Sequence, residues 1–411
     1  MKKARIINRE PAAQANPERV RGRQRSGLIA SMLLFLAGTL LIAGCWDRRE
    51  VNDIALVVAM AIDKEDDGMI RFSIQVPIVS QLGGPSGEGG GGGGGRFYVD
   101  SAVARTLREA NAIMQSRLPR HVYYAHHRVV VIGEELARSG IRDVLDIVSR
   151  FPENRLTAYI ALARGKGADL LMAQPQFELF SGEAIRELVK EVAIPVNLKD
   201  LAQRISTPGL DAFLPMFTTV KTNPVAKSKE LELTGIGIFR GDKLIEVEGL
   251  SALTCLKGFQ PGFLPYTMVL NLNQTDHVSF DVFEGHSRIE PVRRPGHFHF
   301  HIKVNAYAII TENFSPLNVG DMVVMRDLEK KLNEKLSRQI KNLVKSMKEN
   351  RADTLGLGIS VARHFPKAWQ EQYKDRWGEE ELPRITVDVT CTIKLVQSGQ
   401  TTTNIMEEGS K

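Results

Sequence analysis

Residues 28–44 carry no charge, and the run stops at a cysteine, Cys45, followed at once by Trp46, Asp47, Arg48, Arg49 and Glu50. Three structures suit such a seam: a membrane span, the first helix of a core, or a cleaved leader. As a helix the run rises about 25 Å, short of the roughly 30 Å hydrocarbon core of a bilayer. Ahead of it lie Lys2, Lys3, Arg5, Arg9, Arg19, Arg21, Arg23 and Arg25 against only Glu10 and Glu18. A basic region, a short apolar region and small residues before a break follow the plan of a secretory signal peptide.

The break itself is Ile42-Ala43-Gly44-Cys45, and it resembles a bacterial lipobox. In that motif small side chains let the backbone enter the signal peptidase, and the Cys45 thiol accepts a diacylglycerol. The expectation is therefore a signal peptide over 1–44 and a lipid-anchored chain that starts at Cys45. Two acyl chains give stable attachment where one holds only marginally, so no span is required. Trp46 suits the membrane interface, and Arg48 and Arg49 suit either anionic headgroups or a solvated tether.

Cleavage changes the charge argument. The whole chain has 54 basic and 48 acidic side chains, a net +6, and the leader accounts for all of that excess. The chain from Cys45 onward is neutral, so the basic balance that would point to nucleic acid disappears. The remaining cysteines, Cys255 and Cys391, both fall in segments read as strands; two buried thiols fit better than a disulfide scaffold.

The 367 residues that follow the leader suffice for two or three modules. Residues 54–62 and 69–79 read as a hairpin around the turn at 63–68. The glycine run at 83–95 precedes no Lys-Ser/Thr and opens no helix, so it reads as a surface loop. Ser101 is read as the cap of a helix carrying Val103, Leu107, Ala110 and Met114 on one face. Strands at 128–133 and 156–163 then alternate with helices near 141–148, 183–192 and 198–204, an α/β pattern. Strands at 231–239, 243–247, 268–272, 277–283 and 298–310 precede a long amphipathic helix over 321–350. A second, aromatic-rich helix and a strand at 385–395 close an α+β half. The fold class expected is thus mixed α/β and α+β with antiparallel sheets. It divides into 45–225, 226–400 and a tail at 401–411, with a third module boundary placed near 208–223.

Chemistry is sparse. In "HFHFH", His297, His299 and His301 share one strand face at about 6.8 Å spacing, a way to hold zinc if another ligand arrives from elsewhere. The alternative is a polar face opposite Phe298 and Phe300. His126 and His127 alternate faces. "GIGIFRG" at 235–241 opens no helix and fails as a dinucleotide fingerprint. The acidic clusters Asp66-Asp67 and Glu379-Glu380-Glu381 read as solvated turns. No nucleophile, base and oxyanion site assembles, so neither catalysis nor a cofactor is expected.

Several segments stand in a telling order: Cys45-Trp46-Asp47-Arg48-Arg49-Glu50-Val51, His126-His127-Arg128 with "VVVIGEELARSGI", and "RFPENRLTAYIALARGKGADLL". "TGIGIFRGDKLIEVEGLSALTCLKG", "ADTLGLGISVARHFPKAW", Trp377 and "ITVDVTCTIKLVQSG" complete the order across 45–400. Together they resemble one family, the Ger(x)C lipoproteins, C subunits of nutrient germinant receptors in endospore-forming bacteria. The resemblance implies a non-enzymatic subunit of three mixed modules, held by its lipid on the outer face of the inner spore membrane. Its implied partners are the A and B membrane subunits. The competing readings are a solute-binding lipoprotein feeding a transporter and a surface-tethered hydrolase.

Overall fold

The computed structural model describes residues 53–78, 97–150, 154–222 and 229–398, together with Met32 and Phe35. The chain divides into residues 1–54 and 55–411. Of the first unit, Met32 and Phe35 are helical and exposed. The lipobox Ile42-Ala43-Gly44-Cys45, the glycine run, residues 223–228 of the expected linker and the 401–411 tail lie outside the described residues.

The second unit holds a mixed eight-stranded sheet in the order β8-β7-β6-β5-β4-β1-β2-β3. Its strands are β1 (Ala59–Lys64), β2 (Ile70–Pro77), β3 (Phe97–Ala104), β4 (Val129–Gly133), β5 (Tyr159–Ala163), β6 (Phe213–Val220), β7 (Glu230–Arg240) and β8 (Lys243–Gly249). The central strands β1, β4, β5 and β6 run parallel, with antiparallel hairpins at both margins. Parallel strands are covered on both faces, which is why β4 is apolar and buried at every position, as VVVIG. Helices α1 (Leu107–Gln115), α2 (Glu134–Ser139), α3 (Arg142–Arg150), α4 (Gly167–Leu171), α5 (Ser181–Glu191) and α6 (Leu198–Ser206) lie between these strands in the chain. The sheet draws strands from both sides of residues 225/226, and β6 falls within the 208–223 stretch.

Three sequence assignments are overturned here. Ser101 caps no helix: it lies in β3 opposite Ser73, with the two hydroxyls 2.7 Å apart. The cap is Thr106, whose hydroxyl accepts the Glu109 N–H at 3.1 Å while the Glu109 carboxylate accepts the Arg105 N–H. The Thr-x-x-Glu pattern was available in the sequence as a cap signal, but the alternation over 97–104 extends β3 beyond Ser101 first. Cys255 lies in helix α7 (Leu250–Lys257), not a strand, because eight mainly apolar residues give too little periodicity to separate the two. Glu381, read as solvated, is buried.

A second sheet has the order β9-β10-β11-β12, from β9 (Tyr266–Asn271), β10 (His277–Arg294), β11 (His297–Phe314) and β12 (Thr386–Ser398). The first two pairings are antiparallel and the last is parallel. One face is covered and the other wet, so β9 alternates buried and exposed residues throughout. The long helix α8 (Met322–Asn350) buries Leu328, Leu332, Leu336, Ile340, Leu343, Val344 and Met347. Each such side chain stabilises by about 1.5–3 kcal/mol. The flank of α8 also satisfies the open edge of β12. Glu329 accepts the Leu395 N–H at 2.9 Å, and the Asn333 side-chain oxygen accepts the Ile393 N–H at 2.6 Å. An edge strand left unpaired would offer those donors to another chain. Helix α9 (Leu357–His364) and an irregular helical segment ending at Arg384 complete the layer.

Candidate functional site

Strand β11 begins HFHFHIKV, and its alternation decides where its histidines point. Phe298, Phe300, Ile302 and Val304 are buried. Phe298 packs edge-on to Tyr373 at 4.9 Å between ring centroids, and Trp377 sits 6.1 Å away. His297, His299 and His301 therefore share the opposite face, over a rigid aromatic floor.

Register then sorts the three. Residues directly opposite across a sheet share a face and form rows. One row is Glu290–His301–Asp388 and the next is Val292–His299–Thr386. Strand β12 begins at Thr386, so the row Arg294–His297 has no third member. The structure accordingly brings His299 and His301 together with Asp388, their nearest ligand atoms all within 4.8 Å, and leaves His297 aside. His299 Nε2 lies 3.1 Å from Asp388 Oδ2, and His301 Nδ1 lies 4.0 Å from the same oxygen. The other His299 nitrogen, Nδ1, is 2.8 Å from the Thr386 hydroxyl. His297 Nδ1 instead meets the Pro295 carbonyl at 3.3 Å. The sequence named the histidines and missed Asp388, which lies 87 positions beyond His301 and becomes a neighbour only through the parallel pairing. The signal was present as the outward polar residue in "TVDVTC", but nothing local assigns its register.

Two further polar constellations went unread. In the turn that leads into β4, His127 is fully buried while His126 is exposed. Its Nδ1–H donates to the Tyr124 carbonyl at 2.7 Å, and burial pulls its pKa below the usual value. It lines a surface hollow with Arg128, Arg155, Thr157, Tyr159 and Arg186. Two of those guanidiniums are already held by Glu183, at 3.0 and 2.6 Å.

The second is a buried joint. Asp353 Oδ1 accepts the Leu357 N–H at 3.0 Å, and Oδ2 accepts the Gly358 N–H at 2.8 Å and the Trp377 indole N–H at 2.9 Å. The Asp353 N–H donates to the Asp211 carboxylate at 2.7 Å, and the Asp211 N–H donates to the Asp353 carbonyl at 2.8 Å. Residues 142 positions apart are thereby clamped reciprocally. Beside them Gly209, at φ +80°, and Gly358 approach so closely that a Cβ on Gly358 would stand 2.6 Å from the Gly209 Cα. Only glycine tolerates both that conformation and that approach.

Among the described residues no helix is long and apolar enough to cross a membrane.

Comparison with known proteins covers nearly all of this architecture. A family described as the spore germination protein N-terminal domain matches residues 47–219. One described as spore germination B3/GerAC-like, C-terminal, matches residues 234–399. A putative spore germination protein, YfkR, of Bacillus subtilis (strain 168) is 36% identical, over 82% of this chain and 90% of its own length. Spore germination protein KC of the same organism is 27% identical, over 89% of this chain and 95% of its own. The crystal structure of the GerBC protein superposes with a TM-score of 0.54 at 18% identity, covering 82% of this chain and 97% of that one. At that identity the likeness is one of fold.

Proposed function

This chain belongs to the spore germination GerAC family, and from that premise we propose that it is the lipoprotein subunit of a nutrient germinant receptor. The observation that carries the reading is the match of both family domains, in order, over 47–219 and 234–399. Membership itself carries a role in spore germination. The finer reading is a chain held by diacylglycerol on Cys45 at the outer face of the inner spore membrane. There it works without catalysis beside the A and B membrane subunits. The lipobox, the neutral chain that follows it and the two-chain arithmetic of acyl anchoring support the tether.

The test is Cys45→Ala expressed in spores. We expect the protein to leave the membrane fraction or disappear, and the nutrient response to fail with it. A Cys45→Ala chain that stays membrane-bound and supports full germination would sink the proposal.

A further inference from the structure

We propose that His299, His301 and Asp388 form a binding site for one divalent transition-metal ion of the zinc type, clipping the edge strand β12 to β11. The inference does not depend on the receptor assignment, because it stands on the ligand geometry alone.

The donor set selects the ion class. Two imidazoles and one carboxylate suit zinc and its first-row neighbours, whereas calcium and magnesium take six or more oxygens. Distances agree for the two pairs that include the carboxylate, while the two imidazole nitrogens lie within 4.8 Å of each other. With zinc–nitrogen bonds of about 2.0–2.1 Å and zinc–oxygen bonds of about 2.0–2.2 Å, two ligand atoms on one ion stand about 3.4 Å apart at a tetrahedral angle. Their limit is about 4.2 Å. The observed separations from Asp388 Oδ2 are 3.1 Å to His299 and 4.0 Å to His301. The remaining contraction falls on His301 and Asp388, whose side chains are 40% and 69% exposed and free to turn.

The surroundings hold the first ligand in place. His299 has one nitrogen on the Thr386 hydroxyl and the other on Asp388. When Nδ1–H donates to Thr386, Nε2 presents a lone pair to the carboxylate, which an ion between them satisfies. This is the outer-sphere bond that metal-ligating histidines make to fix their tautomer. In the metal-free chain the proton takes the ion's place: Thr386 donates to Nδ1 and Nε2–H donates to Asp388. Binding therefore moves the one imidazole proton from Nε2 to Nδ1 and reverses the Thr386 hydrogen bond, with the ring neutral in both states. Glu290, the other member of the His301 row, is 3.4 Å from both Lys303 and Arg288, so the fourth position falls to water. Phe298 and Phe300, buried beneath, keep the two histidines from turning inward.

The experiment uses the untagged full chain in detergent, stripped with chelator and titrated with zinc by calorimetry. We expect one ion per chain. His299→Ala and Asp388→Asn weaken binding at least tenfold. Thr386→Val, which leaves every ligand in place, weakens it about 10- to 100-fold. His297→Ala, beside the site but outside it, leaves affinity unchanged. Asp388→Asn keeps a hydrogen-bond partner for His299, so its unfolding midpoint without metal matches wild type and the loss of binding reads as loss of a ligand. No saturable binding by the wild type would overturn the proposal. So would affinity untouched by His299→Ala, or a loss in His297→Ala equal to that in His299→Ala.

Discussion

Trp377 donates its indole N–H to the fully buried carboxylate of Asp353 at 2.9 Å, joining the aromatic segment before β12 to the loop after α8. Replacing Asp353 with Ala orphans three buried donors, the Leu357 and Gly358 amides and the indole. Each costs about 1–3 kcal/mol. Denaturant unfolding of the full chain should therefore show Asp353→Ala destabilised by about 3 kcal/mol or more, and Trp377→Phe by about 1–3 kcal/mol. A change below 0.5 kcal/mol in Asp353→Ala, on the scale of a neutral surface substitution, would remove the joint from the account.

The same carboxylate sets a pH dependence. Burial pushes Asp353 up to about 6 from an ordinary 3.8, against the pull of its three donors. The folded state thus holds its proton more tightly than the unfolded chain between those values. This contribution to stability is fully present below about pH 4 and is lost as the pH rises through 6. Its size is on the order of 1–3 kcal/mol. Asp63 and Asp211 are also raised by burial and add slopes of the same sign, so the wild type must be compared with Asp353→Asn. The stability difference between the two should change across pH 4–7 in favour of the wild type at the acid end; a flat difference contradicts the assignment.

Gly133 is the hinge between β4 and α2, and its vacancy of side chain is occupied. A Cβ there would stand 2.1 Å from Asp63 Oδ1. That oxygen accepts the Gly167 N–H at 2.6 Å, and its partner oxygen accepts the Ala168 N–H at 3.0 Å. Gly133→Ala must push the carboxylate off two buried amides, at about 1–3 kcal/mol for each donor orphaned. Thermal unfolding should show a midpoint lowered by several degrees. An unchanged midpoint would mean that Asp63 has another place to go.

Cys255 and Cys391 are both pushed up to about 12 by burial, so neither presents thiolate at neutral pH. A thiol reagent at pH 8 should leave both unmodified in the folded chain and modify both in denaturant. The denatured count also reads the anchor. The full sequence holds 3 cysteines. Lipid on Cys45 leaves two titratable thiols in membrane-extracted protein, and an unprocessed chain shows three.

What the sequence determined by itself is what short-range physics controls. The uncharged run into Cys45 and the basic excess ahead of it needed only counting. So did the stripe of α8, where Leu328, Leu332, Leu336 and Ile340 recur at helical spacing and are buried as expected. The alternation of β11 placed Phe298 and Phe300 inward and three histidines outward. Even the α1 cap was written locally, at Thr106 and Glu109 rather than at Ser101.

Tertiary structure decided everything that depends on register between distant strands and on which polar groups lose water. It added β7 and β8 to the sheet of the preceding half, across residues that read as a linker. It put Asp388 beside His301 and left His297 without a third-strand neighbour, because β12 begins opposite His299. It buried Asp353 under Trp377 and clamped it to Asp211. Period-two alternation says which face a residue takes but not which strand lies next to it, and desolvation follows from the completed packing.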